Sequence, residues 1–335
     1  MATATSHAAA YSAEKLTVDG IPVIRLRDSA RNIEVSIAPS IGNMTFELKV
    51  NGHNALYFPF DSVAQWKEKP CQLGIPFLDP WANRLSEDAF FADGKRYRLN
   101  PDVFALHRDS EGLSIHGLLL FAEGWEVVSV EFGDECAEVT SRLEFWKHPE
   151  WMAQFPFAQT IEMTHRLSSG VLEVRVSVHN LSVDPMPLVI GFHPWYQITD
   201  APRDEWRVHV PVRTRYLLSE KTIPTGKTEA ATLPASFSLA ERRLDDVFGG
   251  VQHRDEFTVE GRSQKIAIRF GPKYPVAIVF APATRPVICF EPMSGVTDGF
   301  NLHHAGLYPE LQSVAPGGVW TESFWITPSG FSSPS

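Results

Sequence analysis

The chain has 335 residues, of which 44% are hydrophobic and 21% are charged, and its formal net charge is −10. This hydrophobic content is sufficient for a large buried core and excludes a disordered chain. The acidic balance, with lysines and arginines scattered rather than clustered, predicts that the protein binds neither nucleic acid nor a membrane surface.

The N-terminal stretch MATATSHAAAYSAEKL has no basic segment followed by an apolar run, so residues 1–15 are expected to form a flexible lead-in. No apolar run approaches the roughly 18 residues that a membrane-spanning helix requires. Cys71, Cys136 and Cys289 are far apart and form no CxxC pair. They predict neither a disulfide framework nor a structural zinc site, and they favour the reducing cytoplasm.

The dominant period along the chain is two, which is typical of strands with one buried face. QTIEMTHRL (159–167) and VLEVRVSVHN (171–180) both alternate, and the SSG between them predicts a hairpin turn. The further strand candidates are IEVSIAP, WEVVSVEF, AEVTSRLEF, WRVHVPV, FTVEG, KIAIRF, AIVFAPA and VICFEP. AIVFAPA and VICF are apolar on both faces, which predicts a central place in a sheet.

Helical signals are weak and short. SVAQWKEK near 62–69 and SLAERRLDDVF at 238–248 are each expected to make a few turns. The 25 prolines and 22 glycines are spread along the chain, with no linker between two halves and no repeat of fixed period. The pattern predicts an all-β protein, a large antiparallel β-sandwich with a few short helices, forming a single domain over 16–330.

Polar side chains at strand ends and in proline-bearing loops are the candidates for a site. Asn83 and Arg84 lie in IPFLDPWANRL, where an arginine can fork onto paired sugar hydroxyls or onto an acid. The alternative is a surface ion pair with Glu87 or Asp88. His116 precedes a glycine between apolar segments, where an imidazole either hydrogen-bonds a ligand hydroxyl or lies half-buried in the core.

In GFHPWYQI, His193 stands between an apolar run and a proline, with Trp195 and Tyr196 directly after it. Flat aromatic rings with a polar tip suit the C–H face and hydroxyl rim of a pyranose, and a histidine beside them can act as a general acid. The alternative is a loop that only packs. Glu291 follows the apolar strand VICF, where a carboxylate either finds a partner, has its pKa raised by desolvation, or emerges into water.

Two features are weaker. LDDVF offers Asp245 and Asp246 as acceptors for sugar hydroxyls. His303 and His304 are adjacent and expected to diverge, and no carboxylate stands at metal-ligand spacing, so no metal site is predicted.

The order NR, HG, HPWY, DDxF and FEP resembles that of the aldose 1-epimerase (galactose mutarotase-like) family. The closing LQSVAPGGVWTESFWI is also similar to that family's final loop and last strand. The resemblance extends over nearly the whole chain, from about residue 18 to 327. It implies the galactose mutarotase-like supersandwich and an isomerase that interconverts the α and β anomers of a free aldohexose without a cofactor.

The resemblance also implies roles for individual residues. His193 matches the general-acid position and Glu291 the general-base position. Arg84 and His116 match the groups that hold sugar hydroxyls or the ring oxygen. Asp245 is a better match to the substrate-binding aspartate than Asp246 is.

Asn83 and Trp195 complete the expected sugar contacts. Gln197 follows the histidine in a segment where galactose-specific members of the family often carry Asn, which predicts a shifted sugar preference.

The expected partner is a small-molecule sugar, bound by a monomer or weak homodimer. A phosphosugar epimerase of the glucose-6-phosphate 1-epimerase type is one alternative, and Lys95, Arg96 and Arg108 are its candidate phosphate ligands. A non-catalytic sugar-binding protein is another, although both the acid and the base are present. A glycoside hydrolase needs two carboxylates flanking the bond, and Asp245 with Glu291 is the available pair.

Overall fold

The computed structural model of the protein describes residues 10–332, which are predominantly β. The strands in chain order are β1 Tyr11–Val18, β2 Ile21–Asp28, β3 Ile33–Ala38, β4 Met44–Val50, β5 His53–Asn54, β6 Phe77–Leu78, β7 Ala89–Ala92, β8 Lys95–Arg98, β9 Glu126–Phe132, β10 Ala137–Glu144, β11 Gln159–Ser168, β12 Val171–Asn180, β13 Met186–Leu188, β14 Gly191–Phe192, β15 Arg207–His209, β16 Thr214–Leu218, β17 Pro224–Ala230, β18 Phe237–Ser238, β19 Leu244–Gly249, β20 Phe257–Glu260, β21 Lys265–Phe270, β22 Val276–Ala281, β23 Cys289–Met293, β24 Gln312–Val314 and β25 Val319–Ser329. The α-helices in the same range are α1 Val63–Glu68, α2 Pro149–Met152 and α3 Gly299–His304.

Three large antiparallel sheets form the body of the molecule. A nine-stranded sheet has the order β18-β15-β20-β21-β25-β12-β11-β10-β9, a seven-stranded sheet β17-β16-β19-β22-β23-β14-β6, and a five-stranded sheet β1 to β5 in sequence. β1 and β2 contact β9, β10 and β11 of the nine-stranded sheet. The prediction of an all-β sandwich of antiparallel sheets is confirmed, as are the strand candidates.

The predicted hairpin over 159–180 is formed by β11 and β12, whose register pairs Gln159 with Asn180. Ser169 and Gly170 make the turn, both with positive φ, a conformation that glycine adopts without steric cost. β22 and β23 lie inside the seven-stranded sheet and are almost wholly buried, so the prediction from their two apolar faces is also confirmed.

Two local predictions are wrong. The segment 238–248 forms one short turn over Leu239–Glu241 and then strand β19, not several helical turns. The segment forms a strand because β19 pairs with β22, which buries Leu244, Val247 and Phe248. This tertiary pairing overrides the local helical preference.

The lead-in predicted over 1–15 ends earlier than expected, because β1 begins at Tyr11. The Tyr11 ring is buried and its hydroxyl accepts a hydrogen bond from the Ser169 amide at 2.8 Å, which ties the strand to the fold. Residues 1–9 lie outside the described part of the chain. We keep the single domain over 16–330 as a proposal, supported by one apolar core cluster that contains residues from Tyr11 to Phe331.

None of the helices within residues 10–332 is long and apolar enough to cross a lipid bilayer.

Candidate active site

The centre of the site is a cross-strand pair. Gly191 of β14 lies opposite Met293 of β23, so two residues further along this antiparallel register His193 faces Glu291. His193 Nε2 lies 3.3 Å from Glu291 Oε1, and the His193 amide donates to the carbonyl of Pro76 at 3.0 Å. The sheet therefore sets the spacing of the imidazole and the carboxyl.

Gly191 makes this close approach of the two strands feasible. A Cβ at that position would lie 2.2 Å from the Met293 sulfur and 2.6 Å from the Pro292 carbonyl oxygen. Any larger residue would push β14 away from β23 and separate His193 from Glu291.

Both members of the pair are buried, with His193 6% and Glu291 1% exposed. Burial lowers the pKa of His193 to about 3. Burial also raises the pKa of Glu291 well above its usual range, with a further rise from Asp245 and an opposing effect from Arg84. Burial thus favours a neutral pair in which the shared proton lies on the carboxyl group.

Trp195 stacks on the His193 ring, with centroids 4.9 Å apart and ring planes 7° from parallel. The edge of Phe280 packs against both rings. The guanidinium of Arg285 lies over the Trp195 ring, 5.9 Å from its centroid. Trp195 therefore supports the histidine and lines the cavity at the same time.

Arg84 reaches the site from the loop 79–84, held by a β-bridge between Arg84 and Ile115. Its Nε donates to Asp109 Oδ2 at 2.6 Å, and its Nη1 lies 3.4 Å from Asn83 Oδ1. Asn83 itself is buried in a left-handed conformation, φ 59°. The expected alternative, a surface pair of Arg84 with Glu87 or Asp88, is wrong.

Those two acids pair elsewhere. Glu87 accepts from Arg96, and Asp88 accepts from Arg108 at 2.8 and 2.9 Å. Neither arginine lines the cavity, and Lys95 does not line it either.

His116 lies beside the catalytic candidates, with its ring 5.3 Å from the His193 ring in an edge-to-face arrangement. Its amide donates to the Asn83 carbonyl at 2.9 Å. Gly117 after it is needed because a Cβ there would lie 2.1 Å from the Asp79 carbonyl oxygen. Burial lowers the pKa of His116 well below its usual range, with His193 and Arg84 contributing, which favours the neutral form of its imidazole.

Asp245 and Asp246 lie on opposite faces of β19, because successive side chains in a strand alternate. Asp245 lines the cavity, and burial raises its pKa against the opposing charge of Arg84. Asp246 instead accepts from Arg215 at 2.7 and 2.9 Å. The geometry thus separates the two aspartates that the sequence left in doubt.

The cavity is about 170 Å³ in volume. Apolar residues form one part of its wall and polar groups the other. Its lining residues are Gln72, Asn83, Arg84, Ile115, His116, His193, Trp195, Asp245, Ile278, Phe280 and Glu291.

A larger cavity, of about 380 Å³, lies beside α3 and contains His303 and His304. These side chains diverge as expected, since His303 Nδ1 contacts the Tyr308 carbonyl and His304 stacks on Phe91. Its histidines and Asp93 are exposed to water. The smaller cavity is therefore the candidate active site, because it holds a buried imidazole and carboxyl in contact.

Sequence reasoning missed several contributors. Ile278 and Phe280 lie two residues apart on β22, and Ile278 is the register partner of Glu291. Because this strand is apolar on both faces, its sequence did not distinguish these two side chains from their neighbours. Nothing in the local sequence marks Asp109 or Gln72. The expectation that Gln197 tunes sugar preference is not supported by its position: its Nε2 donates to the carbonyls of residues 54 and 56 at 3.0 Å each, outside the cavity lining.

Comparisons with known proteins identify a family and a shared fold. A family model described as Aldose 1-epimerase matches residues 22–327. The uncharacterized Escherichia coli K12 protein YihR is 22% identical over 230 residues, 67% of this chain and 70% of its own.

Two solved structures show the same fold. A galactose mutarotase-like protein from Clostridium acetobutylicum has a TM-score of 0.82 at 20% identity, covering 96% of this chain and 98% of its own. A galactose 1-epimerase from Lactobacillus acidophilus has a TM-score of 0.75 at 12% identity, covering 97% and 100%.

Proposed function

Since this chain belongs to the aldose 1-epimerase family, we propose that it is a carbohydrate epimerase that interconverts the α and β anomers of a free aldohexose. The observation that carries the proposal is the buried contact of 3.3 Å between His193 and Glu291 on the wall of a small cavity. Mutarotation requires one proton to leave the anomeric hydroxyl and one to reach the ring oxygen. Two titratable groups in contact can supply both transfers.

We assign Glu291 as the base that takes the proton of the anomeric hydroxyl and His193 as the acid that protonates the ring oxygen. The C1–O5 bond breaks as C1 becomes a carbonyl, and the bonding pair goes to the ring oxygen. Rotation about C1–C2 presents the other carbonyl face, and ring closure reverses both proton transfers. Each acid–base contribution of this kind typically supplies about 10²–10⁴-fold in rate.

These roles require Glu291 as a carboxylate and His193 as an imidazolium, whereas burial favours the neutral form of both groups. The two forms differ by the transfer of one proton. Moving the proton from Glu291 to His193 leaves the net charge of the pair unchanged. Hydrogen bonds from sugar hydroxyls and the nearby charge of Arg84 stabilise the carboxylate. Substrate binding thus sets the pair for catalysis.

The remaining lining suits a pyranose ring. Trp195, Phe280 and Ile278 offer apolar surface to C–H groups, while Arg84, His116 and Asp245 offer donors and acceptors to hydroxyls. Arg84 is held by Asp109, which leaves its Nη2 for the sugar. A fixed guanidinium loses less side-chain entropy when it binds a ligand.

A phosphosugar is the second candidate substrate. The basic side chains first considered for the phosphate lie outside the cavity lining, and so does Arg285, but Arg285 lies over the ring of Trp195, which lines the cavity. A guanidinium suits the oxygens of a phosphate group. We place the activity in the cytoplasm, which three unpaired thiols support.

The test is polarimetry on freshly dissolved α-glucose, α-galactose and α-glucose 6-phosphate, with and without protein. Accelerated relaxation of the unmodified sugars supports the proposal, and a preference for the 6-phosphate supports the second candidate. If no sugar relaxes faster although calorimetry detects its binding, the chain is a sugar-binding protein. Release of reducing sugar from an aryl glycoside would instead favour hydrolysis.

A further inference from the structure

A buried thiol lies next to the proposed acid–base pair and takes no part in the chemistry above. Cys289 and Glu291 are two residues apart on β23, so their side chains share one face of the strand. His193, directly after β14, faces Glu291, with its Nε2 3.3 Å from Glu291 Oε1. One ligand atom from each of the three residues lies within 4.8 Å of the other two.

These donor atoms are shielded from water, and one of them has no partner. Cys289 is fully buried and Glu291 is 1% exposed. Glu291 Oε1 faces His193, whereas Oε2 has no hydrogen-bond partner within the described chain. An unpartnered buried carboxyl oxygen carries a desolvation penalty that a bound ion would remove.

The donor set is one thiol, one imidazole and one carboxyl, a combination that suits zinc and its heavier relatives. Zinc sites with three protein ligands and a fourth open position have ligand distances of about 2.0–2.3 Å. A tetrahedral ion would draw the three donor atoms, which now lie within 4.8 Å of one another, closer together. Two of the three residues, His193 and Glu291, also line the cavity, so the donor set borders the proposed sugar site.

The charge balance is also favourable. A divalent ion that enters replaces the proton of the Cys289 thiol and the acid proton of the pair, and both protons leave to water. The imidazole binds as the neutral base. The site therefore gains no net charge, which avoids the large cost of burying an uncompensated ion.

We propose that His193, Cys289 and Glu291 form a binding site for a thiophilic divalent cation of the zinc and cadmium class, and that its occupancy switches off the active site. The bound ion takes the lone pairs through which the acid and base act. Hard cations such as Mg²⁺ and Ca²⁺ prefer oxygen ligands and leave the site empty. The inhibitory half of this proposal rests on the proposed epimerase activity, whereas the binding half does not.

Binding is tested with Cd²⁺ on the full chain, using Cys71→Ser/Cys136→Ser, in which Cys289 is the only thiol. We expect a thiolate-to-cadmium absorption band in the ultraviolet that saturates at one ion per chain and is unaffected by excess Mg²⁺. Adding Cys289→Ala should abolish the band. Adding Glu291→Gln or, separately, His193→Ala should weaken Cd²⁺ binding at least tenfold.

Two outcomes overturn the binding proposal. One is the absence of a band when Cys289 is the only thiol. The other is a band of undiminished affinity in both Glu291→Gln and His193→Ala, which would mean a simple thiol adduct. Circular dichroism of each variant shows whether the fold is retained, and Cys289→Ser provides a second substitution if Cys289→Ala unfolds.

Inhibition is tested by following mutarotation during Zn²⁺ or Cd²⁺ titration. We expect at least a tenfold slowing that a chelator reverses, with the same sensitivity in Cys71→Ser/Cys136→Ser. The ratio of inhibited to uninhibited rate, taken within each variant, should return to about one in Cys289→Ala. Undiminished inhibition in Cys289→Ala overturns the switch. If wild type accelerates no sugar, the proposed function fails while the cadmium band still decides the metal site.

Discussion

His193, directly after β14, lies opposite Glu291 of β23, with its Nε2 3.3 Å from Glu291 Oε1. The antiparallel pairing of Gly191 with Met293 and the bridge between Tyr196 and Ile288 lie on either side of this contact. Pairing of β14 with β23, and the missing side chain at Gly191, fix this spacing. The proposed proton donor and acceptor are therefore held by backbone hydrogen bonds rather than by a flexible loop.

Removing either member of the pair should stop catalysis. We expect Glu291→Gln and His193→Ala each to lower kcat for mutarotation by about 10²–10⁴-fold, and the double variant to lose little more, because the two groups act as a unit. Polarimetry measures the effect. Glu131→Gln, at an exposed carboxylate on β9, is the matched control and should keep the wild-type rate. Wild-type kcat in both single variants would refute the assignment.

The two adjacent aspartates of β19 should behave differently. Asp245 lines the cavity, so Asp245→Asn should raise KM about tenfold through a weakened sugar contact. Asp246 pairs with Arg215 outside the cavity lining, so Asp246→Asn should leave KM unchanged and cost less than about 1 kcal/mol in unfolding free energy. Steady-state kinetics measures KM and urea unfolding measures stability. A raised KM in Asp246→Asn but not in Asp245→Asn would show that Asp246, not Asp245, contacts the sugar.

Asp109 is expected to position Arg84. Asp109→Asn should raise KM about tenfold with a smaller change in kcat, because the guanidinium is no longer fixed before the sugar binds. Asp88→Asn is the control, since Asp88 also pairs with an arginine, Arg108, which lies outside the cavity lining. Equal effects of the two substitutions on KM would show that the Arg84 pair has no special role.

Asp79 should make the fold less stable as the pH rises from about 4 to about 8. Burial raises its pKa to about 8, although Gln159 donates to it at 3.0 Å. In the unfolded chain an aspartate has a pKa of about 3.9, so the contribution of Asp79 is complete below that pH and is lost as pH rises towards 8. The expected loss is about 1.4 kcal/mol per pH unit in that window.

Asp79→Asn should remove this slope. Urea unfolding at pH 5, 6, 7 and 8 should show the variant gaining stability relative to wild type at each step. Asp134→Asn, at an exposed aspartate, should keep the wild-type slope. Parallel curves for wild type and Asp79→Asn would mean that Asp79 is ionised in the folded protein.

His165 should have the opposite pH dependence. It is buried on β11 between register partners Val139 and Val174, and burial lowers its pKa to about 3. An unfolded histidine titrates near 6.5, so stability is complete above that pH and is lost as pH falls from about 6.5 towards 3.

In His165→Met the unfolding free energy should fall less steeply as the pH is lowered, as measured at pH 4, 5, 6 and 7. His253 is exposed, so His253→Gln is the control and should lose unfolding free energy with falling pH as steeply as the wild type does. If His165→Met loses unfolding free energy at acid pH as steeply as the wild type, other groups cause the loss.

Much of the fold could be predicted from period two, because strands such as β10 and β12 bury every second side chain. The segment 238–248 could not, since its helical preference yields to pairing with β22, a partner distant in the sequence. Local propensity does not contain such a pairing.

The candidate site was predictable in part. The positions of Arg84, His116, His193 and Glu291 followed from the order of short motifs, and the structure brings all four to one cavity. Asp109 was not predictable, because its role depends on a loop that folds back onto Arg84.

The glutamine after the aromatic pair carried a false signal. The resemblance singled out Gln197 because it implied an Asn in the segment after the histidine, but the Gln197 amide donates to two backbone carbonyls of the 54–56 segment. A difference in sequence near a site does not place a side chain in it.

The pairing of β14 with β23 also has a consequence for folding kinetics. It joins segments about a hundred residues apart, and contacts with such a large sequence separation form slowly because the intervening loop must first be closed. Enzymatic activity should then return later during refolding than the circular dichroism of local hairpins such as β11–β12. The rate at which the acceleration of sugar relaxation recovers during refolding would therefore measure how fast β14 and β23 pair in the seven-stranded sheet.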